Sequence, residues 1–115
     1  MKQGSLQKFK SLILSIDRYH HEFSRTLELF KCKITLRDGS NLRILEKYNH
    51  DELIYYSYYW LTATDELIIG WDNAPHHYHI KSFPHHKHIG GKKRPVASKE
   101  RHLATVLSFV ANRLK

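Results

Sequence analysis

The sequence predicts an α+β domain: a four-stranded antiparallel meander with an N-terminal and a C-terminal helix packed on one face. Three observations predict it. Apolar residues recur every three or four positions at both ends of the chain, they alternate every second position through the middle, and the links between the alternating runs are short.

At the N-terminal end Leu6, Phe9, Leu12, Ile13, Ile16, Tyr19 and Phe23 form one apolar stripe, which predicts a helix from about Ser5 to His21. The period then drops to two. Between Glu28 and Leu36, Phe30, Cys32, Ile34 and Leu36 share one face of a strand, and Lys31, Lys33 and Thr35 share the other, with Arg37 following in the same register. Asp38-Gly39 is a hairpin signal and leads into a second strand from Asn41 to Lys47. Leu53 to Leu61 is aromatic-rich and free of breakers, so it reads as a third strand. The turn Thr64-Asp65-Glu66 leads to a fourth, Leu67 to Trp71. From Asn73 to Pro95 the chain holds all three prolines and the Gly90-Gly91 pair, which marks a long irregular loop. Ser98 is a plausible N-cap for a last helix in which Leu103, Val106, Leu107, Val110 and Leu114 line one face.

At 115 residues the chain suits one domain, 1–115, with a single modest core. Hydrophobic residues at 41% beside 26% charged residues exclude a disordered chain as the default reading. A net charge of +8 and a pI near 9.7 point to a phosphate backbone, an anionic lipid surface or an acidic protein as partner, without choosing among them. Cys32 is the only cysteine, which excludes an intrachain disulfide and a thiolate zinc cluster. No apolar run approaches the ~18 residues of a membrane span, so no membrane partner is expected. The start, Met1-Lys2-Gln3-Gly4-Ser5, lacks the unbroken apolar core of a signal peptide, which makes the cytoplasm the expected location.

Six of the ten histidines fall in the thirteen residues from His76 to His88. They form a near-repeat, Pro75-His76-His77-Tyr78-His79 and Pro84-His85-His86-Lys87-His88. In an extended chain His77 pairs with His79 and His86 with His88 on one side; a looped chain brings His76 or His85 to the same spot instead. Imidazole gives and takes protons near neutral pH, so acid–base chemistry is one reading. Metal binding through His-X-His pairs is a second, and backbone-bonded loop residues a third. No Cys, Asp or Glu lies between Asn73 and Lys99, so a metal would need nearly all-His ligation, and neither a metal nor another cofactor is expected. Asp72 is the one carboxylate at the segment's edge, where it either orients an imidazole, ligates a metal or caps a turn with Asn73.

Three blocks carry a resemblance: Tyr56-Ser57-Tyr58-X-Trp60, Trp71-Asp72-Asn73-Ala74-Pro75-His76-His77, and Phe83-Pro84-His85-His86-Lys87-His88. Together they resemble the TumE-like toxins of toxin–antitoxin pairs, from about Leu29 to the C-terminal helix. The resemblance implies a small toxic protein that acts on RNA and is neutralised by an adjacent helix-turn-helix antitoxin. Its motif falls on Asp72, Asn73, His76, His77, His85, His86 and His88. His79 lies where the family has no expected histidine. Tyr59 stands where members often carry histidine, and Leu61-Thr62 replaces the usual polar residue, which counts against a catalytic role for the third strand.

The reading that follows is metal-independent RNA cleavage, with His76 or His77 and His85 or His86 as base and acid. Asp72 orients one of them, and Arg43 or Lys87 stabilises the charge that develops on phosphorus. Tyr56, Tyr58 and Trp60 share a face and are read as core, whereas Tyr55 and Tyr59 are the candidates for stacking on bases. Lys31, Lys33, Arg37 and Arg43 form a basic stripe suited to phosphate contacts, with Lys87 as a further cation. The alternatives are a non-catalytic RNA-binding or antitoxin-binding module, and an all-His metal-dependent hydrolase. Whether the chain pairs with a second copy as a homodimer is open.

Overall fold

The alternation that starts in the fourth decade of the chain builds a larger sheet than the sequence reading allows. The computed structural model describes residues 3–115, and its dominant element is a seven-stranded antiparallel sheet whose strands lie side by side in chain order. The strands are β1 (Ile13–Ser24), β2 (Leu27–Leu36), β3 (Asn41–Asn49), β4 (Glu52–Leu61), β5 (Leu67–Asp72), β6 (His86–Ile89) and β7 (Val96–Ala97). Two short helices, α1 (Gln3–Lys8) and α2 (Leu103–Arg113), pack against the sheet core. The protein is therefore mostly β, and the expected α+β arrangement of four strands and two longer helices is incorrect. Met1 and Lys2, part of the stretch read for a leader, lie outside the described residues.

The N-terminal helix expected over Ser5–His21 is the largest correction. Helix α1 stops at Lys8, a 3₁₀ turn follows at Lys10–Leu12, and the rest is strand. Register shifts between Ile13 and Ser15 and between Asp17 and His20 each insert one extra residue into β1. Each bulge reverses which face later residues occupy. Ile13, Ile16 and Phe23 consequently all pair with residues on one face of β2, namely Leu36, Ile34 and Glu28. Apolar residues spaced by three and seven thus mimic a helix on a bulged strand. Only the first part of the stripe is core: Leu6 is buried and Phe9, Leu12 and Ile13 pack against it, whereas Ile16 is 45% and Phe23 69% exposed.

The loop expected from Asn73 to Pro95 contains a further strand, β6, and β7 follows directly after it. β6 extends the sheet through the pairs Ile69↔Ile89, Gly70↔His88, Trp71↔Lys87 and Asp72↔His86. A Cβ on Gly90 would meet the Leu67 carbonyl oxygen at 2.0 Å, so only glycine fits where β6 ends and the Gly90 N–H donates to Ile68 O. The last helix starts at Leu103 with His102 as N-cap, not at Ser98. Ser98 instead donates its N–H to Ser82 Oγ (3.0 Å) and its hydroxyl to Glu100 O (2.9 Å), tying the chain that follows β7 to the histidine segment.

One face of the sheet is covered. Leu6 of α1 and Leu103, Val106, Leu107 and Val110 of α2 meet alternate residues of β2–β5, including Ile34, Leu36, Leu42, Ile44, Tyr56, Tyr58, Trp60 and Trp71. Within this core Glu46 is 2% exposed and accepts hydrogen bonds from the hydroxyls of Tyr48 (3.2 Å) and Tyr58 (2.5 Å). The other face carries no helix among the described residues. Among those residues no helix is long and apolar enough to cross a membrane.

Candidate functional site

Alternation along each strand decides what the uncovered face presents. Reading across β2 to β6, the register aligns Lys33, Arg43, Tyr59, Gly70 and His88 in one row. Lys31, Leu45, Ser57, Asp72 and His86 form the row beside it. Cations thus lie at one end of both rows and imidazoles at the other, four strand spacings or roughly 19 Å apart. The cationic end is an open groove of about 570 Å³ whose lining includes Arg18, His20, Lys31, Lys33, Arg43 and Tyr59. Arg43 is braced there, its Nε donating to Asn41 Oδ1 (2.8 Å) and its Nη2 lying 3.4 Å from Asp65 Oδ1. The Asn41 side-chain hydrogen bond, then Arg43 and Lys33, hold the Asp65 carboxyl below its ordinary range.

At the other end Asp72, 6% exposed, is the hub. Its Oδ1 lies 2.9 Å from His86 Nε2 and accepts the Ala74 N–H at 3.0 Å; its Oδ2 accepts the Tyr59 hydroxyl at 3.2 Å and faces His88 Nε2 at 3.6 Å. Asp72 therefore both makes the turn and holds the site. His86, 2% exposed, places Nδ1 3.0 Å from Pro84 O, so both of its ring nitrogens face oxygens. Burial, then the Asp72 charge, pushes the Tyr59 hydroxyl up to about 12, which keeps it protonated and donating. Gly70 makes this possible: a Cβ there would stand 3.1 Å from the Tyr59 ring, which lies across β5 at that point.

His77 reaches the same place from the segment between β5 and β6. Successive turns tie that segment together, with Ile80 N–H donating to His77 O and His85 N–H to Ser82 O. The His77 ring stands 4.9 Å from that of His86 and 6.0 Å from that of His88, centroid to centroid, and His86 and His88 are 5.0 Å apart. Partial burial and the surrounding imidazoles lower the His77 pKa. One ring nitrogen from each of His77, His86 and His88 lies within 4.8 Å of the others, the set of side chains here able to hold a metal ion. His76 and His79 flank His77 at 6.5 and 6.1 Å and are exposed.

Four sequence candidates lie elsewhere. His85 is turned to the covered face, where Nδ1 lies 2.9 Å from the Tyr56 hydroxyl and the rings stack at 5.8 Å; burial and Arg101 lower its pKa. Lys87 pairs with Trp71 on that face, its Nζ 3.4 Å from Glu100 Oε1 and 5.4 Å from the centre of the Phe109 ring. Asn73 is a structural joint, accepting the Tyr56 N–H (3.0 Å) and donating to Ile54 O (3.2 Å). Arg37 binds the Ser11 carbonyl and secures the chain before β1. Conversely, Arg18 and His20 line the groove and were hidden by the helical reading of β1. A strand reading of that segment opposite Lys31 and Lys33 is the signal that finds them.

Comparison with curated proteins and with solved structures gave no match. The family model described as Toxin TumE matches residues 5–114, which takes in α2, all but the start of α1, the cationic groove and the Asp72–histidine cluster, and the chain belongs to that toxin family.

Proposed function

We propose that this toxin binds a single-stranded RNA along the uncovered face of its sheet and cuts it at the β5–β6 end. The observation that carries the reading is the cross-strand register. It sets Lys31, Lys33 and Arg43 in the same two rows as Asp72, His86 and His88, on the face that the helices leave free. Cations at that spacing attract a phosphate backbone, and Tyr59 between them and the imidazoles offers a flat ring to a base. The strand enters over the groove and brings a phosphate to His77 and His88, the two imidazoles of the cluster that are only partly buried.

In this reading His77 and His88 carry the chemistry. Of the expected base and acid, His76 or His77 with His85 or His86, His85 faces the other side and His86 has both nitrogens engaged. Lys87 is likewise on the covered face, and Arg43, three strands from His88, holds the entering strand and does not touch the phosphate that reacts. Membership in a toxin family implies an antitoxin partner. A helix-turn-helix antitoxin that covers the groove belongs to this reading.

Induced expression in a bacterial host tests it. Wild type should arrest growth and leave cut transcripts, while His77→Ala, His88→Ala and Arg43→Ala should allow growth with intact RNA. Arrest by all three variants would refute the assignment.

A further inference from the structure

We infer that His77, His86 and His88 form a transition-metal site of the zinc class, with Asp72 as the anion that offsets the ion's charge. The inference concerns what occupies the cluster and holds whether or not the chain cuts RNA.

Three imidazoles from two separate stretches converge on one point, each offering a nitrogen within 4.8 Å of the others. Tetrahedral zinc with nitrogen ligands near 2.1 Å sets its donors roughly 3.4 Å apart. The observed set closes to that spacing with a shift of roughly 1.4 Å or less. His86 and His88 are held by the pairing of β6 with β5, so the shift falls on His77, whose segment is built of turns.

The surroundings are those of a ligand set. His86 Nδ1 lies against the Pro84 carbonyl, the kind of outer contact that turns a histidine's other nitrogen toward a metal and sets its tautomer. Asp72 stands beside that other nitrogen at 2.9 Å and beside His88 Nε2 at 3.6 Å, bracketing the separation of neighbouring donors around such an ion. A carboxylate that is 6% exposed and shared by two imidazoles supplies the negative charge a divalent cation needs on a protein of net charge +8.

The donor chemistry selects the ion. Three imidazoles suit zinc and its neighbours, whereas magnesium and calcium require oxygen ligands. Thiolate ligation is excluded, because Cys32 is buried in the core, where burial and Glu46 push its thiol up to about 11. Three histidine ligands leave a fourth position for water or a phosphate oxygen.

Chelator-treated protein, dialysed free of chelator, should be titrated with ZnCl₂ by calorimetry and with CoCl₂ by visible absorption, in the absence of RNA. Wild type should bind one ion per chain, with the intense cobalt bands of a tetrahedral nitrogen site. His77→Ala and His88→Ala should lose that binding. Asp72→Asn should weaken it by about 10- to 100-fold. His21→Ala, altered at an imidazole on β1 outside the cluster, should bind as wild type does. Both His77 and His88 are partly exposed, and circular dichroism melts check that their variants fold. Failure of wild type to bind one equivalent, or equal binding by a folded His77→Ala or His88→Ala protein, overturns the inference. RNA cleavage that survives such a failure would then proceed by imidazole alone.

Discussion

Asp72 Oδ1 and His86 Nε2 lie 2.9 Å apart across β5 and β6, and neither residue is more than 6% exposed. This one contact joins the strand pairing to the chemistry of the site. Removing the carboxylate leaves a buried ring nitrogen without its acceptor, which costs about 1–3 kcal/mol. Asp72→Ala should lower the urea midpoint of metal-stripped protein accordingly. An unchanged midpoint would mean that the pair carries no stability.

The two cross-strand rows predict a division among the cations. Lys31→Ala, Lys33→Ala and Arg43→Ala should each weaken RNA binding and reduce the slope of log affinity against log salt by about one. Lys87→Ala should leave the slope unchanged, because its ammonium faces Glu100 and Phe109 on the covered side. Fluorescence anisotropy across a salt series reads both, and a slope change at Lys87 as large as at Arg43 would contradict the assignment of faces.

Gly70 and Tyr59 should behave as one unit. A methyl group at Gly70 meets the Tyr59 ring at 3.1 Å and moves the hydroxyl off Asp72. Gly70→Ala and Tyr59→Phe should each slow RNA cleavage by about tenfold, the scale of one hydrogen bond to a charged group. The double variant should lose little more than either alone. Additive losses would separate the two residues.

The thiol of Cys32 gives a test of the core. Burial, then Glu46, raises its pKa to about 11, so in the native protein thiolate is scarce until pH approaches that value. Iodoacetamide at pH 8 should leave native Cys32 unmodified and alkylate it readily in urea, where an unperturbed thiol titrates near 8.5. Rapid labelling of the native protein would show that the β2–β3 core opens.

The four expected strands correspond to β2 through β5: in β2, β3 and β4 one-sided burial imposes a period of two, and β5 shows as a short apolar run after a turn. β1 was illegible for a physical reason. Two bulges shift its parity, so Ile13, Ile16 and Phe23 take helical spacing while sharing one face of a strand. β6 was illegible because every position but Ile89 is polar and prolines bracket it; its partner strand, not its own composition, makes it extended. Without that strand the parity of the second histidine block was unknown. His88 and His86 could not be separated from Lys87 on the opposite face, nor His85 from the cluster. Asp72 and His77 were legible from their motif, whereas Arg18 and His20 had no signal once β1 was read as a helix.

Purified protein with end-labelled single-stranded RNA, wild type beside His88→Ala, is the most direct test of cleavage at the β5–β6 end of the uncovered face. The account predicts that wild type cuts the RNA, and that His88→Ala binds it with similar affinity, through Lys31, Lys33 and Arg43, but leaves it whole. Binding without cutting by the wild type, or cutting by His88→Ala at the wild-type rate, would contradict it.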